Sequence, residues 1–328
     1  MKKILLLLVL CTTTAGLLCA AGRQQKKDTD NIRVVLDWTP NTNHTGLYVA
    51  LDKGYFAAEG LNVSIVQPPE DGALMLVAAG NAEFGVDFQE TLSPAIGKTH
   101  NALPLVAVAA IINHNTSGIM TLADSGIKKP SDLSGKRFAS WETPLYTAII
   151  RTLVEGDGGN FATVDMIPNN ATDAFSALAT DVDAIWIYYA WDGIAAALNG
   201  TTINYMDIGI INPVFDFYTP VIVTNSTYAS THGDIVRKFL SAVSKGYNDA
   251  MKDPLGAANI LLKYAPELDS ALVRQSQEYL APRYQSDSPR WGEINPVRWN
   301  RFAGWMYEQG LIEQDIRGQG FTNEFLPE

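Results

Sequence analysis

Cysteine is nearly missing from this chain of 328 residues: there are two, Cys11 and Cys19, both within the first twenty positions. A disulfide framework, a thiolate zinc site and a cysteine nucleophile are therefore excluded from the body of the protein. Basic residues are also in short supply, 24 Lys and Arg against 35 Asp and Glu, for a net charge of −11. A protein of this size built to grip nucleic acid carries a basic face, so that class is set aside. After Leu10 no stretch approaches the roughly 20 apolar residues of a membrane-spanning helix. Charged residues amount to 18% while hydrophobic ones reach 47%, which is ample material for a large core and excludes a disordered chain. At about 150 residues per domain, the length suggests two domains.

Motifs for catalysis are lacking too. The four histidines, His44, His100, His114 and His232, form no H-E-x-x-H, and no G-x-S-x-G elbow occurs. Gly135-Lys136 fails as a phosphate loop, because Pro130 stands at its first glycine and Arg137 at its Ser/Thr. No G-x-G-x-x-G follows a strand. Asp181 and Asp183 read as solvated turn residues. No catalytic residue, metal or cofactor is expected.

The amino end reads as an address. Met1-Lys2-Lys3 is a positive n-region, Ile4 to Leu10 is an apolar run, and small residues gather at Ala20-Ala21-Gly22. This is the layout of a secretory signal. Two processing routes compete: cleavage after Ala21, or cleavage after Leu18 with Cys19 acylated as in a lipoprotein. The expectation is a signal over 1–21 (or to 18), a polar linker over 22–31, and an exported protein that meets the membrane only through a lipid anchor.

Beyond the linker the pattern is α/β. Strands are expected at 33–36, 62–67, 84–86, 105–112, 137–140, 164–167, 183–187, 203–206 and 221–224. Helices are expected from Gly46 to Gly54, over 71–79, from a Thr143 N-cap with Pro144 at N1 to Glu155, and over 173–180. From Gly233 onward the text is helical over 235–251, 257–264 and 271–280. The late strand at Val221 returns to the first sheet. One lobe would then comprise 32–117 plus 221–328 and the other 118–220, with a cleft between them and hinges near 115–118 and 218–221.

Six segments at strand ends are loaded with aromatic and neutral polar groups: 38–45, 87–91, 114–117, 140–143, 186–192 and 216–219. Ligands of open α/β sheets sit at such ends, and rings with a few convergent polar groups suit a flat heterocycle. The segments hold no lysine or arginine, which disfavours a phosphate, sulfonate or nitrate. The acids Asp37, Asp87, Glu90, Glu142 and Asp192 favour a ligand rich in N–H donors instead.

Asp37-Trp38-Thr39-Pro40-Asn41-Thr42-Asn43-His44-Thr45-Gly46 resembles the opening motif of substrate-binding proteins for bacterial ABC importers of thiamine pyrimidine precursors, within the thiamine-pyrimidine-synthase-like superfamily. The likeness continues through Lys53-Gly54-Tyr55-Phe56, Glu59-Gly60-Leu61, Asn113 to Gly118, Trp186 to Gly193, Tyr218-Thr219-Pro220 and Thr322 to Pro327. It implies a type II periplasmic-binding-protein fold and a ligand such as N-formyl-4-amino-5-aminomethyl-2-methylpyrimidine. It also implies a permease and an ATPase subunit as partners. The family's contacts map onto Trp38, Asn41, His44, Ser117, Glu142, Tyr188, Trp191 and Tyr218. A related branch makes the pyrimidine by consuming pyridoxal phosphate held by a lysine, with a histidine four positions later and a cysteine-rich iron segment. Here those positions are Asp87 and Thr91, and the body of the chain has no cysteine. Ser140-Trp141-Glu142 replaces a glycine-rich stretch, which keeps riboflavin or another flat heterocycle open as a ligand. A sulfonate- or nitrate-binding relative is the remaining alternative.

Overall fold

The computed structural model describes residues 29–70, 72–141, 143–168 and 174–328. The proposed signal, Cys19 and Glu142 lie outside the described residues. Ten strands form two five-stranded sheets among the described residues.

The strands are β1 (Asp30–Val35), β2 (Leu61–Val66), β3 (Phe84–Asp87), β4 (Leu105–Ala110), β5 (Ser117–Leu122), β6 (Arg137–Ser140), β7 (Asp165–Pro168), β8 (Ala184–Tyr188), β9 (Ile203–Asp207) and β10 (Val221–Asn225). The first sheet runs β2-β1-β3-β10-β4 and the second β7-β6-β8-β5-β9. In the first, β1 lies parallel to β2 and β3, with Ile32 opposite Val63 and Val34 opposite Phe84. The returning strand β10 inserts antiparallel between β3 and β4. In the second sheet β6 is parallel to β7 and β8, while β5 runs antiparallel to both β8 and β9. Helices cover the sheets, giving two α/β lobes.

Burial explains the pairing. Ile32 and Val34 of β1 face one core and Val35 the other, as β-branched residues do in a strand covered on both sides. The helices Thr45–Asp52 and Gly233–Lys252 cross at a glycine contact. A Cβ on Gly246 would stand 2.0 Å from the Gly46 carbonyl oxygen, so only glycine admits this approach. Thr143 caps the helix Pro144–Gly156, accepting a hydrogen bond from the Tyr146 N–H, with Pro144 in the first turn as the sequence suggests.

The helix Pro296–Glu308, which the sequence places in the first lobe, contributes to two of the hydrophobic cores. Its Trp299 packs with Val221 and Val223 of the first lobe and with Tyr218 on the segment leading into them. One turn on, Phe302 stacks on Phe217 at 4.2 Å and Trp305 meets Phe215 edge-on at 5.0 Å, within the core of Phe138, Ile149 and Trp186.

The chain passes between the lobes after β4 and after β9, and the two crossings are bonded to each other. Ile111 N–H donates to the Pro220 carbonyl at 3.0 Å, and the Asn115 amide donates to the Phe215 carbonyl at 2.8 Å. Asp216 accepts from the Asn115 N–H at 3.0 Å and pairs with His114 at 2.7 Å.

Candidate functional site

The loop after β1 is a built framework. Asn41 caps the turn Thr42–His44, its side-chain oxygen accepting from the Asn43 N–H at 2.8 Å and its amide donating to the Thr39 carbonyl at 3.1 Å. His44 is fully buried; its Nδ1 accepts from the Asn41 N–H at 3.2 Å, which assigns the ring proton to Nε2, hydrogen-bonded to Asp37. Tyr284 and Tyr247 donate to the carbonyls of Thr42 and Asn43, both at 2.6 Å, and tie the loop to the carboxyl-terminal segment. Trp38 stands clear of this network, 67% exposed.

At the end of β3, Asp87 is buried and accepts from the Phe88 N–H at 2.8 Å and from the Thr91 hydroxyl. Burial, with the nearby charge of Asp37, pushes its carboxyl up to about 6. Glu90 follows in the first turn of the helix Gln89–Ile96 and is 1% exposed. One carboxyl oxygen accepts from the Thr219 hydroxyl at 3.3 Å, and the other has no partner. Burial, then the charges of Asp87 and Asp37, raises this group to about 8.

The second lobe supplies rings. Ser117 opens β5 directly opposite Tyr188, and its hydroxyl is buried without a partner. Tyr188 stacks toward Phe88 of the first lobe at 6.4 Å and lies 6.3 Å from Trp141. Trp141 and Tyr146 are 5.1 Å apart, and Tyr146 meets Trp186 edge-on at 5.0 Å. Burial first, and the Glu90 charge next, hold the Tyr188 phenol well above its ordinary range. Trp141 also lines an open cavity of about 510 Å³ with Thr143, Arg151, Met166 and Leu311.

The residues named from sequence separate accordingly. Trp38 is exposed at a strand end, and Ser117 and Tyr188 meet across the β5–β8 pair. Trp191 sits in the π-helical turn Tyr189–Gly193, half-buried against the core of the first lobe. Asn41 and His44 spend their polar atoms within their own loop. Tyr218, expected in the cleft, is fully buried: its ring lies 6.3 Å from Trp299 and its hydroxyl accepts from the Asn295 N–H at 2.7 Å. A ring on a crossing segment can face either the cleft or the core, and here the core takes it. Glu142 lies outside the described residues.

Of the five acids read as favouring N–H donors, Asp37, Asp87 and Glu90 act on one another, whereas Asp192 turns back to the Tyr188 N–H at 3.3 Å. Tyr146, absent from the sequence expectation, enters because Thr143 and Pro144 start its helix beside Trp141. Its only sequence signal is its place in the second position after that proline. The arrangement places carboxyls on one lobe and phenol and indole rings on the other, suited to hold a flat molecule with polar N–H edges.

Known proteins bear on this geometry. The formylaminopyrimidine-binding protein of Halalkalibacterium halodurans is 29% identical over 307 residues, covering 88% of each chain. A 4-amino-5-hydroxymethyl-2-methylpyrimidine phosphate synthase of Saccharomyces cerevisiae is 23% identical, with 91% of this chain and 88% of that one covered. The periplasmic aliphatic sulphonate-binding protein SsuA of Escherichia coli superposes with a TM-score of 0.69 over 90% of this chain and 99% of its own, at 17% identity. That likeness speaks for the fold alone: two α/β lobes in the periplasmic-binding-protein arrangement. A family model described as NMT1/THI5 like matches residues 41–257, well over half of the sequence. The chain belongs to the NMT1/THI5-like family.

Proposed function

We propose that this protein is the extracytoplasmic substrate-binding component of an ABC importer, capturing a thiamine pyrimidine precursor of the formylaminopyrimidine type. It would deliver that ligand to a permease driven by an ATPase subunit. The observation that carries the reading is the meeting of Asp37, Asp87 and Glu90 with Tyr188, Tyr146 and Trp141, in segments devoid of lysine and arginine. Such a lining accepts amino N–H groups and a flat ring, and it repels a sulfonate. Trp38, Ser117, Tyr188 and Trp191 form the ligand-facing set together with these acids, and Glu142 joins it on the sequence resemblance. Asn41 and His44 shape the loop that carries Trp38.

The same residues support binding without catalysis. Asp87 and Thr91 bond to each other where the resemblance to the synthase branch calls for a lysine and a histidine. Neither can form a Schiff base with pyridoxal phosphate. Export through the amino-terminal signal places the protein outside the cytoplasmic membrane, with Cys19 as the lipid-bearing residue where processing follows Leu18.

A thermal-shift series tests the reading, since ligand at a hundred times its Kd stabilises by about 2.7 kcal/mol. The formylaminopyrimidine should raise the unfolding midpoint, while an alkanesulfonate, riboflavin and pyridoxal phosphate should raise it less. A larger shift from the sulfonate would overturn the assignment.

A further inference from the structure

Glu90 combines near-complete burial with an unfinished set of hydrogen bonds. Oε1 accepts from the Thr219 hydroxyl at 3.3 Å on the second crossing, and Oε2 is buried without any partner. The groups that face it come from four directions. Asp87 ends β3 and Asp37 follows β1, both acidic, while the phenols of Tyr188 on β8 and Tyr146 on the helix Pro144–Gly156 feel its charge from the second lobe. The charges acting on Glu90 are thus acidic ones. Burial first, then the like charges, favour the uncharged acid and outweigh the backbone N–H of Glu90 itself and the Thr219 hydroxyl, which favour the charged form, so the group is pushed up to about 8.

A carboxyl that keeps its proton offers an O–H donor and a C=O acceptor side by side. Here Oε2, buried and without a hydrogen-bond partner, is the position open to the proton. Oε1 has a second lone pair left beside Thr219. The Ser117 hydroxyl, buried and likewise without a partner, sits opposite Tyr188 and is a second open polar position from the other lobe.

We propose that Glu90 is the specificity-determining residue of this cleft, reading in its protonated form an edge on which a basic ring nitrogen stands beside an exocyclic amino group. This rests on the aminopyrimidine reading above and names the side chain that recognises the base. The Glu90 O–H donates to the ring nitrogen, and its carbonyl oxygen accepts from the amino N–H. No covalent bond changes, and the complex holds the same single proton that the free acid held. A sulfonate, which only accepts, could take the O–H but would leave the carbonyl oxygen unpaired and face the like charge of two further acids. Once Glu90 ionises, its two acceptors face the nitrogen lone pair, and the missing proton must be drawn from solvent.

The test is calorimetric titration of the mature chain with 4-amino-5-hydroxymethyl-2-methylpyrimidine between pH 7 and pH 9.5. Wild type, Glu90→Gln and Glu90→Leu are compared. Glutamine keeps a donor beside an acceptor and cannot ionise; leucine keeps neither. Wild-type affinity should stay level to about pH 8 and then fall roughly tenfold per unit, as one linked proton requires. Glu90→Gln should bind within about tenfold of wild type at pH 7 and show no fall, and Glu90→Leu should bind more than tenfold weaker. Parallel pH profiles for wild type and Glu90→Gln, or undiminished binding by Glu90→Leu, would overturn the proposal and leave the pyrimidine reading standing. A folded wild type that binds an alkanesulfonate and no pyrimidine would overturn the functional reading itself. Should the variants fail to fold, wild type alone decides. Titration in two buffers of different ionisation enthalpy should show one proton taken up above pH 8 and none at pH 7, and no uptake at either pH would overturn it.

Discussion

Phe88 of the first lobe and Tyr188 of the second lie with ring centroids 6.4 Å apart and planes 21° from parallel. Phe88 stands between β3 and the helix Gln89–Ile96, and Tyr188 ends β8, so the pair is a contact between lobes and not within a core. On the proposed reading, a flat ligand entering beside Glu90 would displace this pairing and give the rings a new partner of the same shape. Tyr188→Ala should therefore weaken pyrimidine binding by about 1 kcal/mol, several-fold in affinity. Calorimetric titration of the folded variant measures this, and unchanged affinity would return Tyr188 to a purely packing role.

Trp38 provides the cleaner separation of binding from folding. It is 67% exposed, on a loop whose polar atoms are satisfied without it. Trp38→Ala should leave the unfolding midpoint within a degree or two, because little buried surface is lost. Affinity should fall by the same order as for Tyr188→Ala. Equal affinity with equal stability would remove Trp38 from the ligand-facing set.

His44 predicts the reverse outcome. Both ring nitrogens are used, one by the Asn41 N–H and one by Asp37, and the side chain is fully buried. His44→Ala leaves the Asp37 carboxyl without its partner and the Asn41 N–H without an acceptor. A loss of about 2–3 kcal/mol of stability is expected, with denaturant unfolding as the measurement. Weaker ligand binding at unchanged stability would show that His44 contacts ligand after all.

Most of the sheet was legible because its strands are short apolar runs bounded by glycine, proline or asparagine, and the helix after Thr143-Pro144 announced its own cap. What escaped did so for local reasons. The strand β5 begins Ser117-Gly118, which reads as a turn, yet Gly118 is needed there: a Cβ would meet the Met206 carbonyl at 2.4 Å on the neighbouring strand. The helix Gln89–Ile96 carries Pro94 within it, which masks its period. At the site, residue type alone pointed to acids and rings at strand ends. It could not say that Tyr218 faces the core, that His44 is spent within its loop, or that Glu90 has an oxygen to spare. The first depends on which side of a crossing segment meets the helix Pro296–Glu308, and the other two on hydrogen bonds made locally around each side chain.

Tyr218 gives a direct check on that packing. Its hydroxyl accepts from the Asn295 N–H, and Asn295 in turn caps the helix Pro296–Glu308 with bonds from Val297 and Arg298. Tyr218→Phe keeps the ring on Trp299 and removes the acceptor of the Asn295 N–H, at a residue that water can reach. The expected cost is about 0.5–1.5 kcal/mol in stability with pyrimidine affinity unchanged. Loss of affinity in a variant of wild-type stability would place Tyr218 in the cleft.

The crossings themselves carry a titratable contact. His114 on the first crossing bonds to Asp216 on the second at 2.7 Å and to Asp287 at 3.0 Å, while Arg298 reaches Asp216 at 3.3 Å. The Asp216 bond holds the imidazolium above the ordinary histidine range, with desolvation and the Arg298 charge opposing. A pKa raised by folding means that the folded state binds the proton more tightly than the unfolded chain. Its stabilisation is therefore complete below the ordinary histidine value of about 6.5 and is lost as pH rises through the raised one. The side chain is 37% exposed, so solvent screening keeps the contribution under about 1 kcal/mol. Unfolding midpoints of wild type and His114→Gln, taken from pH 5.5 to pH 9, should differ most at the acid end and converge at the alkaline end. A difference that stays constant across the range would show that the His114–Asp216 contact holds the crossings together without its proton.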